Sequence, residues 1–129
     1  MTQYVTDTMA IVSYLSKRKL PLSVKQIFQS ADLGLAKILI PSIVFVEIGY
    51  LSEKARIDVS LNDVLNHIAS FANYSEQSLS FEIIVESYKI SDIPELHDRL
   101  IGGTAKLLDI ELITNDPLIQ ASAFVKTIW

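Results

Sequence analysis

Short apolar runs alternate with amphipathic stretches along this 129-residue chain. Apolar residues spaced by three or four predict helices, and short apolar runs bounded by turn-forming residues predict buried strands. The predicted helices are residues 8–19, 22–34, 42–56, 61–74, 93–108 and 116–122. The predicted strands are residues 3–7, 36–41, 80–87, 110–114 and 124–129. Because the two kinds of element alternate, the pattern predicts an α/β layer fold with a mainly parallel sheet, in a single domain spanning residues 1–129.

The composition narrows the classes of protein that fit. Half of the residues are hydrophobic, which is enough for a core and leaves apolar surface for a partner or a second copy. No apolar run is long enough to span a membrane, and the N-terminus lacks the basic and apolar segments of a secretory signal. The absence of cysteine excludes disulfides and thiolate metal sites. We therefore expect a cytoplasmic protein.

The charge of the chain argues against one mode of nucleic-acid binding. A net charge of −4 does not fit a protein that holds nucleic acid on a broad basic surface. It does not exclude an enzyme that approaches phosphates through metal ions. The one dense basic cluster is residues 17–19, which is either a solvated helix end or a phosphate contact.

Two aspartates stand where predicted strands end. Asp7 closes the strand 3–7, and Asp116 follows the strand 110–114. Each has an ordinary explanation as the N-cap of the next helix, and Pro117 favours that explanation for Asp116. In parallel sheets, ligands bind beyond the C-terminal ends of the strands, so an aspartate that caps there also faces the ligand crevice. The two roles are compatible.

A third carboxylate lies in an apolar helix. Glu47 is the only charged residue in the segment 43–51, which predicts a largely buried helix. An unpaired buried carboxylate is costly. Pairing with Lys54 or Arg56 is the ordinary alternative, although Lys54 is two turns away along the helix. A divalent cation would compensate this charge better.

A fourth carboxylate, Asp98, lies at the edge of the apolar face of the helix 93–108, three residues after Glu95. Gly102, one turn further on, is expected to leave open space above the two acids, at about 1 kcal/mol of helix propensity. Carboxylates on one helix face repel each other unless a cation lies between or beyond them. This helix therefore predicts a site beside the acids.

Together these acids favour a hard metal ion. Carboxylate oxygens are the ligands that Mg²⁺ and Mn²⁺ prefer. With no cysteine and two histidines, a zinc site is disfavoured. His97 is expected in the core, because it falls on the apolar face of its helix. His67 has no pattern of acids around it and is assigned no role.

Three segments carry a resemblance to a known family. They are VTDTMAIVSYL at residues 5–15, IPSIVFVEIGYL at 40–51 and HDRLIGGTAKLLDIELITND at 97–116. With the order of the elements, they resemble the PIN-domain ribonucleases, and most closely the VapC-type toxins of bacterial and archaeal toxin–antitoxin pairs. The resemblance covers nearly the whole chain. It implies a three-layer α/β/α fold around a mainly parallel central sheet.

The resemblance also implies an activity and a set of site residues. The activity is that of an endoribonuclease that depends on Mg²⁺ or Mn²⁺ and leaves 5′-phosphate and 3′-hydroxyl ends. The family's acidic quartet, which binds metal and forms the catalytic site, falls on Asp7, Glu47, Asp98 and Asp116. The supporting residues are Thr114 and Glu95, and the candidate phosphate or RNA contacts are Arg99, Thr8 and Asn115. For Arg99, pairing with Glu95 one turn back is an equal alternative.

The family further implies partners. They are the RNA substrate, a second copy of the chain and a small antitoxin protein that covers the site. The helices between residues 22 and 73 are the candidate surfaces for the homodimer. No membrane is implied.

One departure and two alternatives remain. Many relatives carry a further acid or amide just beyond the last aspartate, where this chain has residues 117–119 (PLI), so a second metal ion is less well supported than the first. A catalytically silent PIN-like module that binds RNA or protein is the main alternative. It usually lacks one of the acids, all of which are present here. An aspartate-nucleophile phosphatase needs a second acid where Met9 stands.

Overall fold

A computed structural model describes residues 1–129. Five parallel strands form one sheet, in the spatial order β3-β2-β1-β4-β5. The strands are β1 (Thr2–Thr6), β2 (Ala36–Pro41), β3 (Tyr74–Gln77), β4 (Glu111–Ile113) and β5 (Thr127–Ile128). The helices are α1 (Thr8–Leu15), α2 (Leu22–Asp32), α3 (Ser42–Glu53), α4 (Leu61–Ser70), α5 (Phe81–Lys89), α6 (Leu96–Leu108) and α7 (Pro117–Gln120). They form a three-layer α/β/α arrangement, so the predicted fold class is confirmed.

The core lies between the sheet and the helices. Strand side chains such as Val5, Ile38 and Ile113 are fully buried and belong to one cluster with Ile11 and Phe28 of the helices. Strands buried on both faces of a parallel sheet read as continuous apolar runs, which is why the sequence pattern locates β1, β2 and β4 well.

The predicted strand at residues 80–87 is wrong, because this segment is helix α5. The side chain of Ser80 caps the helix by accepting a hydrogen bond from the Ile83 backbone N–H at 3.2 Å. Ile83 and Ser87, one turn apart, are its buried residues. The apolar run is therefore one face of an amphipathic helix, and the strand of this region, β3, begins earlier, at Tyr74.

The helix that carries Glu47 is less buried than its sequence predicts. Only Val44 and Ile48 of α3 are buried, whereas Val46 and Tyr50 are mostly exposed. An apolar helix with an exposed apolar face indicates surface that is available to a partner.

The centre of the sheet is a topological switch point. β1 lies between β2 and β4 and pairs with both in parallel. The chain leaves these strands at the same edge of the sheet and continues into α1, α3 and the segment before α7. Crevices outside such an edge are where ligands bind in open α/β sheets.

None of the helices is both long and apolar enough to cross a membrane.

Candidate active site

A pocket of about 470 Å³ opens at the C-terminal edge of β1 and β4. Strand ends and helices contribute its lining, which is Asp7, Thr8, Met9, Ala10, Ser13, Lys19, Glu47, Leu51, Asp98, Ile101, Asn115, Asp116, Pro117 and Trp129. We call it the acidic pocket, because its lining includes all four carboxylates of the predicted quartet. The fold thus brings together carboxylates that are up to 109 positions apart, from Asp7 to Asp116.

Asp7 is the most buried of these acids and is 8% exposed. It caps α1, with Oδ1 accepting a hydrogen bond from the Ala10 backbone N–H at 2.8 Å. Burial raises the pKa of Asp7 to about 6, although the Thr114 hydroxyl and the Ala10 N–H lower it, and the charges of Asp116 and Glu47 add to the rise. The side chain of Asp7 therefore caps α1 and also lines the acidic pocket.

Asp98 lies in the first turn of α6, and Glu95 is the N-cap of that helix. A side-chain oxygen of Glu95 accepts the Asp98 backbone N–H at 2.7 Å. Partial burial is the main reason that the pKa of Asp98 is raised to about 7, and the nearby charges of Asp116, Glu95, Glu47 and Asp7 contribute to that rise. Glu95 is thus a helix cap that also adds negative charge beside the pocket.

Glu47 projects from the middle of α3 and is held by a neighbouring element. The Thr8 hydroxyl donates a hydrogen bond to Oε1 of Glu47 at 2.8 Å. The other oxygen, Oε2, lies 3.7 Å from Nδ1 of His97. Neither Lys54 nor Arg56 pairs with Glu47, so the ordinary alternative is wrong.

His97 is therefore not a core residue, although its position on the helix predicts that it is one. Its side chain is 46% exposed and lies beside the carboxylate of Glu47. The helical wheel places His97 on an apolar face, but at the start of α6 this residue contacts Glu47 of α3 and not the core.

Asp116 caps α7, as predicted. Its Oδ1 accepts hydrogen bonds from the backbone N–H groups of Leu118, at 2.8 Å, and Ile119, at 3.4 Å. The hydroxyl oxygen of Thr114 accepts the Asp116 backbone N–H at 3.1 Å, which fixes the turn after β4. Asn115, between them, is exposed and lines the pocket.

Gly102 does not leave the predicted open space. A Cβ at this position would lie 3.1 Å from Cγ2 of Val125 and 3.6 Å from Cδ1 of Ile90 and of Ile93. The glycine lets α6 pack closely against apolar neighbours. The space beside Asp98 belongs to the pocket and does not come from Gly102.

Arg99 points away from the acidic pocket. Its guanidinium lies over the ring of Tyr88, with Cζ 5.7 Å from the ring centroid, and it does not line the pocket. It forms no ion pair with Glu95 either. Its Nε is buried without a hydrogen-bond partner. The cation that does line the pocket is Lys19, which belongs to the basic cluster seen in the sequence.

The acids of this pocket fit a divalent cation in charge and donor type. Asp7, Asp98 and Asp116 have no lysine, arginine or histidine within 4.0 Å. Oxygen donors without thiolates are the ligands of Mg²⁺ or Mn²⁺. No three acidic or histidine side chains are close enough together here to hold an ion. A cation would therefore have to draw the carboxylates inwards against their mutual repulsion.

An α/β/α fold with four acids at the switch point of a parallel sheet defines the class of protein. The model of the family described as "PIN domain" matches residues 4–124. The chain therefore belongs to the PIN domain family. No curated protein sequence matches it.

Solved structures share the fold at low sequence identity. One chain of VapBC2 from Rickettsia felis, bound to a DNA fragment from its promoter, is 17% identical, with a TM-score of 0.72 and 99% of both chains covered. A chain of DNA-bound VapBC from Salmonella typhimurium is 14% identical, with a TM-score of 0.71 and 99% and 98% covered. A chain of FitAcB from Neisseria gonorrhoeae is 18% identical, with a TM-score of 0.66 and 98% and 96% covered.

Proposed function

We propose that this protein is a metal-dependent endoribonuclease that hydrolyses RNA phosphodiesters, and that it is the toxin of a toxin–antitoxin pair. The observation that carries the proposal is the acidic pocket, in which carboxylates from four different elements face one crevice. PIN domains are a nuclease family, and the structural neighbours named above come from VapBC and FitAcB complexes. Both facts support the proposal.

Asp7, Glu47, Asp98 and Asp116 would hold the cation, Mg²⁺ or Mn²⁺. When bound, such an ion lowers the pKa of a water and polarises a phosphodiester oxygen. The carboxylates neutralise the ion, so a metal-free crevice repels RNA and a loaded one accepts it. We expect one firmly held ion, because the residues directly after Asp116 are apolar and offer no side-chain ligand to a second ion.

The surrounding residues position these acids and the substrate. The Thr8 hydroxyl fixes the carboxylate of Glu47, and Thr114 fixes the turn that carries Asp116. Lys19 and Asn115 line the same pocket with exposed side chains. They are the groups best placed to contact a phosphate. Arg99 is not, because it lies against Tyr88.

A small antitoxin would cover this pocket in the resting complex. The support is the origin of the structural neighbours, which are chains of VapBC or FitAcB assemblies. A partner that masks the acidic pocket would have to supply positive charge, since the pocket is rich in uncompensated carboxylates.

A homodimer is the second expected assembly. Phe81, Val85 and Tyr88 are 87%, 54% and 64% exposed and follow one face of α5. Large apolar side chains in one stripe of a surface helix are typical of an interface. This stripe lies outside the segment 22–73, so α5 is a candidate surface in addition to the exposed apolar face of α3.

RNA cleavage tests the proposal directly. Purified protein is incubated with labelled single-stranded RNA, with and without Mg²⁺ or Mn²⁺. We expect cleavage that needs the metal and that is lost in Asp98→Asn, while Glu53→Gln, which changes an exposed and unpaired acid outside the pocket, leaves cleavage intact. Cleavage that persists in excess EDTA would contradict the mechanism.

One observation favours the alternative of a catalytically silent module. The acids are not drawn together into a set of three metal ligands in this structure. Calorimetric titration with Mn²⁺ separates the two. Binding that is lost in Asp98→Asn supports the nuclease, whereas a folded protein that binds no metal supports the silent module.

A further inference from the structure

A second pocket lies on the opposite side of the segment that follows α1. Its volume is about 460 Å³, in the range of sites that hold small ligands or single nucleotide units. α1, α2 and α4 build it, and the residues that matter for its chemistry are Tyr14, Lys17, Arg18, Lys25, Asp32 and His67. We call it the basic pocket.

The rim of the basic pocket is positively charged. Lys17, Arg18 and Lys25 are exposed and contribute three cations to the lining. Arg18 has an ion-pair partner, Asp58, at 3.5 Å, whereas neither lysine has a carboxylate within 4.0 Å. In a chain of net charge −4, this concentration of free positive charge is local and points to an anionic ligand.

Asp32 is the one acid in the lining of the basic pocket, and it already accepts hydrogen bonds from three side chains. Oδ1 of Asp32 accepts hydrogen bonds from the Tyr74 hydroxyl, at 2.7 Å, and from Nε2 of His67, at 3.0 Å. Its other oxygen accepts from the Tyr14 hydroxyl. Three donors on one carboxylate leave it little capacity to pair with the lysines above it. These hydrogen bonds instead form a polar base of the pocket. The Tyr14 ring also stacks on the Phe28 ring, with their centroids 4.8 Å apart.

The basic pocket and the acidic pocket share a wall. Ser13 of α1 lines the acidic pocket and its neighbour Tyr14 lines the basic one. The basic cluster after α1 is divided in the same way, since Lys17 and Arg18 line the basic pocket and Lys19 lines the acidic pocket. A chain of positive charge therefore runs from one pocket to the other.

We infer that the basic pocket binds the phosphate backbone of single-stranded RNA next to the segment held in the acidic pocket. This inference rests on the proposed ribonuclease function. Lysines without carboxylate partners are the groups that hold phosphates independently of sequence. A flexible single strand can follow two concave surfaces around the end of α1, whereas a stiff duplex cannot. The basic pocket would thereby offset the repulsion between RNA and the rest of an acidic protein.

The test measures binding without cleavage. Wild-type protein in Mg²⁺ is titrated with a fluorescent single-stranded RNA of about 12 nucleotides, whose phosphorothioate backbone keeps the negative charge and slows hydrolysis, and anisotropy reports Kd across a range of salt. The test variant adds Lys17→Gln and Lys25→Gln. The matched control adds Lys37→Gln and Lys54→Gln, which remove the same charge from lysines that have no carboxylate partner and lie outside both pockets. Circular dichroism checks that all forms are folded.

We expect the test variant to bind about tenfold more weakly at about 100 mM salt, and the slope of log K against log salt to fall by about 1.4, since each lost phosphate contact contributes about 0.7 for single strands. The control should stay within about twofold of the parent, because distant charges are screened. Lys17→Arg with Lys25→Arg should restore binding, because it restores the charge.

Equal weakening in the test variant and the control would overturn the inference. So would RNA binding that is unchanged in the test variant while binding of a glutamate-rich peptide is lost, since the basic pocket would then be a protein-docking site. If the wild-type protein binds no RNA at all, the ribonuclease proposal fails, and this inference fails with it. Failure of the inference alone leaves parental RNA binding intact.

Discussion

The backbone N–H of Asp7 donates a hydrogen bond to the carbonyl oxygen of Ile113 at 3.1 Å. This bond extends the β1–β4 ladder by one residue beyond the last paired positions, Thr6 and Ile113. It places the first acid of the chain directly beside the strand that leads to Asp116. The close approach of these two carboxylates is thus a consequence of parallel strand pairing, and it accounts for part of the rise in the pKa of Asp7.

The metal-free protein should lose stability as the pH rises from about 4 to 7. The pKa of Asp7 is about 6 in the folded protein and 3.8 in its ordinary state, so the folded state binds the proton more tightly. The stability that this proton provides is complete below pH 4 and is lost as the pH passes the folded pKa, by about 2–3 kcal/mol. Asp98 acts in the same direction up to about pH 7. Urea unfolding in EDTA at a series of pH values measures how the free energy of unfolding changes with pH.

Asp7→Asn should flatten that pH dependence, because the amide carries no ionisable proton. Asp58→Asn is the matched control, since Asp58 is exposed and lies outside the acidic pocket. A slope that is the same in wild type and Asp7→Asn would show that burial of this carboxylate does not control the acid–base behaviour of the fold.

Removal of the metal should lower stability at neutral pH. A ligand at about 100 times its Kd stabilises the folded state by about 3 kcal/mol. Mn²⁺ should therefore raise the melting temperature of the wild type, measured by calorimetry at constant pH. In Asp98→Asn/Asp116→Asn the increase should vanish, whereas Asp109→Asn, which lies outside the pocket, should keep it. An increase that is equal in all three proteins would place the metal elsewhere.

Thr8→Val should weaken metal binding and cleavage about tenfold to a hundredfold, because a group that orients a metal ligand contributes on that scale. The substitution removes the hydroxyl that holds Oε1 of Glu47 and keeps a similar volume. Thr8→Ser keeps the donor and should retain most of the activity. The readouts are the Kd for Mn²⁺ and the cleavage rate at saturating metal. Equal activity of the valine and serine variants would show that the hydrogen bond to Glu47 does not matter.

Gly103→Ala should destabilise the fold by about 2 kcal/mol or more, through overpacking. α5 and α6 approach closely here, and a Cβ at Gly103 would overlap the Ser87 hydroxyl and lie 2.9 Å from the Ser87 Cα. Gly49→Ala is the control, because its Cβ would meet only Leu61 at 3.9 Å. It should be neutral or stabilising by up to about 1 kcal/mol, through helix propensity. Chemical denaturation measures both, and equal values would contradict this close packing.

Phe81→Glu should convert a dimer into a monomer, because it places charge in the exposed apolar stripe of α5. Leu33→Glu is the control, since Leu33 is a similarly exposed apolar residue at the end of α2. Light scattering at micromolar protein gives the mass of each form. A monomeric wild type would remove the basis of the homodimer, and dissociation by Leu33→Glu alone would move the interface to α2.

The acids themselves were readable from the sequence because local rules govern their positions. Asp7 and Asp116 follow apolar runs and precede helices, and caps depend on neighbouring residues only. Glu47 is conspicuous as a lone charge in an apolar helix. The resemblance to PIN-domain ribonucleases adds Asp98 to this set of acids.

Several assignments failed because they depend on what packs against each face. The segment 80–87 has an apolar run that suits a strand or a helix, and its cap and its packing against α6 decide for the helix. His67, to which the sequence assigns no role, donates a hydrogen bond from Nε2 to Asp32, which is 35 residues away. Gly102 predicts open space beside the acids, whereas in the structure it packs closely against apolar side chains.

The sequence by itself thus determined most of the elements outside residues 74–89, the kind of fold and the residues with unusual charge. Only the tertiary structure decided that Lys19 faces the acidic pocket while Lys17, two residues away, faces the basic one. It also decided that Arg99 turns towards Tyr88. The physical reason is that periodicity along the chain specifies which residues share a helix or strand face, whereas pockets form between elements that are distant in sequence and join only through long-range packing.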